Sequence, residues 1–211
     1  MGKYIEHEMS GLRQWFGPSR EEVWRELSGQ MGASYVDGGF WKGDKVQARH
    51  GEWMITLDTY TVHANNAHVH YTRLRAPYVN PGGFRFAIYR RSVFSGLGTF
   101  FGMQDVEVGH EAFDHDFVIK GTSEAQLREL FSSARLREQL ERQPAVKLEV
   151  RDDEGWFGPD FPEGVDELRF AVRGVVKDID RLKEMYELFA ETLDQLCRIG
   201  AAYDTAPGVQ L

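Results

Sequence analysis

The feature that most constrains this chain is a long amphipathic segment near its C-terminus. Apolar side chains recur there at spacings of three and four residues: Ile179, Leu182, Tyr186, Phe189, Leu193 and Leu196, with Met185, Leu188 and Ile199 widening the stripe. Charged side chains occupy the opposite side, as on a helix with one buried face. A stripe this wide favours packing on the chain's own sheet, although the spacing also fits a coiled-coil dimer. We predict a C-terminal helix that lies across a sheet.

The rest of the chain is typical of an α+β protein. Segments rich in β-branched and aromatic residues are separated by turn residues, which favours antiparallel strands. Ser19 and Glu22 form a capping-box pattern before a helix over 20–31, and Ser123 begins a helical stretch that ends before Pro144. We predict a largely antiparallel sheet of about six to eight strands, with the long C-terminal helix and one or two further helices packed on one face.

Three stretches alternate clearly enough to be predicted as half-buried strands. They cover 68–76, which ends before Pro77, then 84–91, and then 113–120, which ends at Gly121. In the last of these, Asp114 and Asp116 would share one face of a strand and His115 would lie on the other.

The predicted elements divide the chain into an N-terminal segment (1–18), a single α+β domain (19–202) and a flexible C-terminal tail (203–211). Segments 37–44 and 152–160 both place acidic residues, glycine and tryptophan between predicted strands. This similarity between the two segments suggests a weak internal duplication of the domain, although two occurrences do not make a regular repeat.

Composition favours a soluble, cytoplasmic protein. Cys197 is the single cysteine, so no intramolecular disulfide can form and a reducing compartment is expected. The first residues lack the apolar core of a signal peptide. No stretch approaches the roughly 20 apolar residues that would cross a bilayer. With a net charge of −8, the chain is also an unlikely partner for nucleic acid, whose phosphates would repel it.

The charge is distributed unevenly along the chain. Residues 73–91 contain five arginines and no acidic residue, whereas residues 152–167 contain seven acidic residues and no basic one. Either the two segments are solvated or pair with each other, or the first forms an anion-binding patch. In the second case we expect Arg73, Arg75 and Arg91 to contact an acidic protein or ligand.

The histidines suggest a metal site. Alternate positions on a strand would place His68 and His70 on one face, where two imidazoles can share a metal ion. A zinc site needs at least one more ligand, for which His63 and His115 are candidates. A pair of surface or cross-strand histidines explains the same spacing.

No catalytic or cofactor motif is complete in this sequence. The glycines of 96–102 lack the spacing and the Lys-Ser or Lys-Thr ending of a phosphate-binding loop. No serine has a Gly-x-Ser-x-Gly setting, and Cys197 has no cysteine nearby and no histidine after it. We therefore predict no cofactor. Residues 92–112 are instead interpreted as an apolar connection that folds onto the core or, if exposed, contacts a partner or a second copy in a homodimer.

Part of the chain resembles a pattern that recurs in uncharacterised bacterial proteins. Its letters are FRFxIYRR from Phe84, GLGxxFGMQDxxVG from Gly96 and FDxDFVIKG from Phe113. The resemblance extends weakly into the C-terminal helix. It implies a structured bacterial family with no known activity, so it assigns no functional residue.

These observations favour a non-enzymatic binding or interaction protein. Two alternatives stay open: a metal-dependent enzyme that uses His68 and His70, and a small-ligand carrier with a cavity between helix and sheet.

Overall fold

The computed structural model describes residues 17–39, 43–64, 67–92, 104–152, 161–209 and 211. The helices in this part of the chain are α1 (Arg20–Met31), α2 (Glu111–Asp116), α3 (Glu124–Leu130), α4 (Ala134–Arg142) and α5 (Ile179–Arg198). The strands are β1 (Ser34–Val36), β2 (Lys45–His50), β3 (Trp53–Ala64), β4 (Ala67–Val79), β5 (Phe86–Arg90), β6 (Gln104–Asp105), β7 (Phe117–Gly121), β8 (Lys147–Arg151) and β9 (Val165–Arg173).

The strands form one antiparallel sheet in the order β1-β2-β3-β4-β9-β8-β5-β7-β6. The long β3–β4 hairpin and β9 form its centre, and the short strands β1 and β6 lie at its two edges. The predicted α+β class and antiparallel sheet are confirmed. The sheet has nine strands because β6, a strand of only two residues, adds one at the edge.

Side-chain caps begin the helices where the sequence indicates. Ser19 accepts a hydrogen bond from the backbone N–H of Glu22, whose carboxylate accepts in turn from the N–H of Ser19. Gly32 ends α1 with φ of 64°, a left-handed conformation that favours glycine. At the start of α5, the side chain of Asp178 is the N-terminal cap and accepts a hydrogen bond from the backbone N–H of Arg181.

One face of the sheet carries the hydrophobic core. Cross-strand partners such as Leu57 with Leu74, and Leu74 with Phe170, lie beneath the helices and are fully buried. The stripe of α5 is buried in the same cluster, which also receives Trp24 of α1 and Phe131 after α3. The expected packing of the C-terminal helix on the chain's own sheet, with the other helices on the same face, is thus confirmed.

Two strand predictions were wrong in their limits. Residues 111–116 form α2, and the strand begins only at Phe117. The carboxylate of Asp114 accepts hydrogen bonds from the backbone N–H groups of 108, 109 and 110, which secures the turn that leads into this helix. Strand β4 also continues through Pro77, in a stretch that pairs with β9 but no longer with β3.

The predicted tail lies along the sheet. The backbone N–H of Tyr203 donates to the carbonyl oxygen of Val79, and the Lys45 ammonium donates to the backbone oxygen of Leu211. Together with Met54 and Pro77, the described residues of 206–211 line a groove of 560 Å³. None of the described helices combines the length and the apolar character needed to cross a membrane.

Candidate functional site: a charged face of the central sheet

The face of the sheet opposite the core is charged. Because side chains alternate along strands and cross-strand partners share a face, the register places one set of residues there. We call this set the charged face: Asp58, Tyr60, Tyr71, Arg73, Arg75, Lys147, Glu149, Arg151, Glu167, Arg169 and Arg173. Its members come from β3, β4, β9 and β8, so four adjacent strands position one surface.

Asp58 is the anchor of this face. Its carboxylate accepts hydrogen bonds from Nε and Nη2 of Arg73 at 2.5 and 3.2 Å, and from Nε and Nη2 of Arg75 at 3.1 and 2.7 Å. All three side chains are at most 15% exposed. Two hydrogen bonds from one guanidinium to one carboxylate fix both the position and the orientation of the guanidinium. Asp58 therefore holds two arginines in fixed positions.

Tyr60 extends this order to a third arginine. The guanidinium carbons of Arg73 and Arg169 lie 5.1 and 4.7 Å from the centre of its ring, within the range of a cation–π contact. Tyr71, opposite Tyr60 in the register, stacks on it with ring centres 5.1 Å apart. Two aromatic rings and three guanidiniums thus form one cluster.

Glu167 is the unusual member of the set. It is 0% exposed, and no described group donates a hydrogen bond to either of its carboxylate oxygens. The closest cation is Nη1 of Arg75, at 3.8 Å. Burial raises the pKa of Glu167, against the opposing effect of Arg75 and Arg169. A carboxylate in this position is costly, since its charge is removed from water without direct hydrogen bonds.

Lys147 and Glu149 form the next pair along the face. The ammonium nitrogen lies 2.8 Å from the carboxylate, and both side chains are largely buried. Burial lowers the pKa of Lys147, and the neighbouring Glu149 opposes that shift. Burial also lowers the pKa of Arg75, and the negative charge of Asp58 opposes that shift. The interior of the face consists of charges that neutralise one another.

Among the described residues that define this face, cations outnumber carboxylates. Six of its members are cationic (Arg73, Arg75, Lys147, Arg151, Arg169 and Arg173) and three are acidic (Asp58, Glu149 and Glu167). Arg173 is exposed, and Arg73, Lys147 and Arg151 are partly exposed. On a chain whose net charge is −8, this local excess favours the binding of an anion.

Of the three arginines predicted to contact a partner, the structure brings two together. Arg73 and Arg75 meet at Asp58, whereas Arg91 follows β5 and its guanidinium donates to the carbonyl oxygens of 114, 115 and 117. Arg91 lines a separate surface cavity of 550 Å³ with acidic neighbours, including Glu107 and Glu111. Whether any of the three contacts a partner stays a prediction.

The arginine-rich and acidic segments do pair with each other. Arg85 lies 2.7 Å from Asp152 and 3.8 Å from Asp166, and Arg75 lies 3.8 Å from Glu167. This is the first interpretation of the uneven charge, and it applies to these residues. Residues 153–160 of the acidic segment lie outside the described part of the chain.

The histidines occupy the far end of the β3–β4 hairpin. His68 and His70 share a face, as predicted, but the neighbour of His68 is His63, directly opposite in the register. His70 instead contacts the hydroxyl of Thr61 across the hairpin, at 2.9 Å. Within the described ranges, no three His, Cys, Asp or Glu side chains are grouped so that they could hold a metal ion.

Two further predictions concern other regions. Most of the connection expected to mediate a homodimer, 93–103, lies outside the described residues, and this includes the glycine-rich segment.

Where a ligand cavity was expected between α5 and the sheet, the side chains Leu182, Met185, Leu188, Phe189, Leu193 and Leu196 are fully buried against the core. The described cavities of 430–560 Å³ lie instead at the strand ends near Arg91 and under the C-terminal tail.

Sequence reasoning missed Asp58, Tyr60 and Arg169. The local signal was slight and concerned only the first of these, because Leu57 stands between the polar Thr56 and Asp58, as on a strand with one buried face. Alternation reveals that a strand has a polar face, but not that this face is buried. The pairing of β9 between β4 and β8 brings Arg169 to the cluster, and such distant pairings are not visible in local patterns.

Comparison with known proteins gives one informative likeness. No family model matches the sequence, and no curated protein matches it. Among solved structures, the chain is similar to a mycobacterial protein described as trehalose monomycolate transport factor A, with a TM-score of 0.52 and 9% sequence identity. The match covers 90% of this chain and 98% of that one. At this identity the likeness shows a shared fold.

Proposed function

We propose that this chain is a non-enzymatic binding protein that holds an acidic protein partner on its charged face. The observation that carries the proposal is the excess of cations on that face, set among tyrosines on a chain whose net charge is −8. Arginine and tyrosine are among the residue types most enriched where protein interfaces derive their affinity.

The arginines of this face are ordered before any partner arrives. Asp58 fixes Arg73 and Arg75, and Tyr60 packs against Arg73 and Arg169. A rigid guanidinium loses less conformational entropy on binding than a free one. The exposed Arg173 and the partly exposed Arg151 lie at the margin of the face, where they can contact a carboxylate directly.

An acidic protein segment fits this surface better than a nucleic acid does. The positive charge is confined to one face, and the overall charge of −8 repels a long polyanion that extends beyond it. A short acidic segment can instead pair locally with the marginal arginines. A nucleic acid is therefore a useful competing probe.

The shared fold supports a role in transport. The similar solved structure is described as a transport factor, and the likeness extends over nearly the whole of both chains. A protein that positions a partner within a transport process needs a docking surface and no catalytic centre. We also propose that the chain is bacterial and cytoplasmic, in line with its sequence.

The metal-dependent enzyme has weaker support. It requires His68 and His70 to act on one ion, whereas the ring of His70 is hydrogen-bonded to Thr61 and that of His68 contacts His63. The carrier with a cavity beneath α5 is also less favoured, because side chains fill the described part of that interface.

Binding of fluorescein-labelled poly-L-glutamate, followed by fluorescence anisotropy at low salt, tests the proposal. The double variant Arg151→Glu/Arg173→Glu should bind at least roughly tenfold more weakly. The loss of two surface attractions of about 0.7 kcal/mol each already amounts to about 1.4 kcal/mol, and the new glutamates add repulsion. The matched control is Arg142→Glu/Arg198→Glu, which makes the same charge change at exposed ends of α4 and α5.

Equal weakening by both double variants would contradict the proposal, since it would show a response to net charge alone. Failure of the wild-type chain to bind the probe would also contradict it. Tighter binding of a labelled single-stranded oligonucleotide than of poly-L-glutamate would replace the acidic protein with a nucleic acid as the partner.

A further inference from the structure

The β3–β4 hairpin extends beyond the rest of the sheet. Strand β2 pairs with β3 only as far as Leu57, and β9 pairs with β4 only as far as Tyr71. Beyond these points, among the described residues, the two strands form a ladder with each other alone, from Thr61 opposite His70 to Ala64 opposite Ala67, and the carbonyl oxygen of His70 also accepts from the N–H of Gly174. We call residues 61–64 and 67–70 the histidine arm. A two-stranded ribbon of this kind gains little stability from its own packing.

Three histidines lie on one face of the arm. His63 and His68 are direct cross-strand partners, and His70 follows two positions after His68. The Nδ1 atoms of His63 and His68 are 2.5 Å apart, with ring centres 4.5 Å apart and planes at 86°. Both side chains are exposed. The Nδ1 atom of His70 is directed to the hydroxyl of Thr61 instead.

Two imidazole nitrogens at this separation cannot both carry a proton. At least one lone pair must point at the other ring, so either a shared proton or a cation belongs between them. Neutral imidazole nitrogens bind Zn²⁺ and Cu²⁺ at about 2.0–2.1 Å. A small rotation of the two exposed side chains would open the pair enough to admit such an ion, since neither ring is held by the core.

We propose that His63 and His68 form a two-imidazole site for a divalent transition-metal ion, with His70 outside it. No third ligand joins the pair within the described part of the chain, so solvent would complete the coordination. A site of this kind is weak and open, and it takes Cu²⁺ in preference to Zn²⁺. The proposal does not depend on the charged face.

Titration of the purified full chain with Cu²⁺ and with Zn²⁺ by isothermal calorimetry tests this site. We expect His63→Gln and His68→Gln each to lose the tightest equivalent of metal. His70→Gln is the matched control, because it removes a neighbouring histidine on the same face and should keep that equivalent. Circular dichroism of each variant checks that the fold is intact.

Electron paramagnetic resonance of the Cu²⁺ complex gives a second, independent test. Nitrogen hyperfine coupling should report two nitrogens in the wild-type chain and in His70→Gln, and this two-nitrogen signal should be lost in either of the other variants. Absence of metal binding by the wild-type chain would overturn the proposal. Equal binding by all three variants, which would indicate adventitious sites on other histidines, or loss of the tightest equivalent in His70→Gln would also overturn it.

Discussion

Both faces of the central sheet contain buried side chains, yet their chemistry is opposite. Along β9, Leu168, Phe170 and Val172 lie in the core, while Glu167 and Arg169 alternate with them on the charged face, and all five are at most 9% exposed. The apolar face gains stability from every buried carbon. The charged face must first offset the loss of hydration, so its ion pairs are weak evidence for a stabilising role.

This difference indicates what each face is for. Apolar residues would stabilise the second face at least as well as charges do, and replacing buried ion pairs with apolar residues is often neutral or stabilising. A cluster of arginines held by Asp58 and Tyr60 therefore has a better explanation in binding than in folding. Substitutions on each face in turn test this difference between the apolar face and the charged face.

The largest effect is expected on the apolar face. Phe170 is fully buried between Leu74 and Leu148 in the register, so Phe170→Ala should lower the free energy of unfolding by about 3–5 kcal/mol. Urea denaturation followed by circular dichroism measures the change. A loss below about 1 kcal/mol, the size of an ordinary surface substitution, would show that this face is not the main source of stability.

The next effect is expected at the anchor of the charged face. Asp58→Ala removes the carboxylate that accepts two hydrogen bonds from each of the Arg73 and Arg75 guanidiniums, which should cost about 3 kcal/mol. The triple variant Asp58→Ala/Arg73→Met/Arg75→Met serves as the control, because it removes the charges together. It should recover much of the lost stability in the same denaturation experiment. If the single and triple variants were equally unstable, the ion pairs would be a structural requirement.

A smaller effect, with the opposite sign, is expected at Glu167. Burial raises its pKa in the folded chain above the unfolded value, so the folded state resists ionisation. The resulting destabilisation is absent below the unfolded pKa of roughly 4 and grows as the pH rises through the folded pKa. Glu167→Gln should therefore stabilise the chain by about 1 kcal/mol at pH 7, with a smaller gain at pH 4.

Thermal unfolding of the Glu167 variant at both pH values measures this difference. A loss of stability at pH 7 would contradict the account, because it would mean that the ionised carboxylate is a favourable partner of Arg75 and Arg169.

The smallest effect on stability is expected at the margin of the charged face. Arg173 is exposed and joins no described ion pair, so Arg173→Glu should change the free energy of unfolding by no more than about 0.5 kcal/mol. The same variant should still weaken the binding of poly-L-glutamate. A large loss of stability would make it impossible to separate folding from binding at this position.

Local sequence patterns predict some elements of this fold and not others. The caps at Ser19 and Ser123 and the stripe of α5 are local signals, so α1, α3 and α5 could be predicted. The alternation of residues 113–116 fits a strand, but the hydrogen bonds that the backbone N–H groups of 108–110 donate to Asp114 favour a helix. Such a turn depends on contacts that periodicity does not report.

The site was predicted less completely than the fold. Arg73 and Arg75 stood out by charge, but their partner Asp58 lies on another strand, and Arg169 reaches the cluster only because β9 enters the sheet between β4 and β8. For the same reason, His63 could be named as one candidate ligand but not placed opposite His68. Cross-strand register is a property of the whole sheet, and short patterns do not contain it.

Hydroxyl-radical footprinting of the full chain, with and without bound poly-L-glutamate, most directly locates the partner. The rings of Tyr60 and Tyr71 are reactive and partly exposed on the charged face. We expect the bound probe to protect the peptides that carry these two tyrosines. Protection confined to the helices or to the C-terminal tail, with Tyr60 and Tyr71 unchanged, would contradict it.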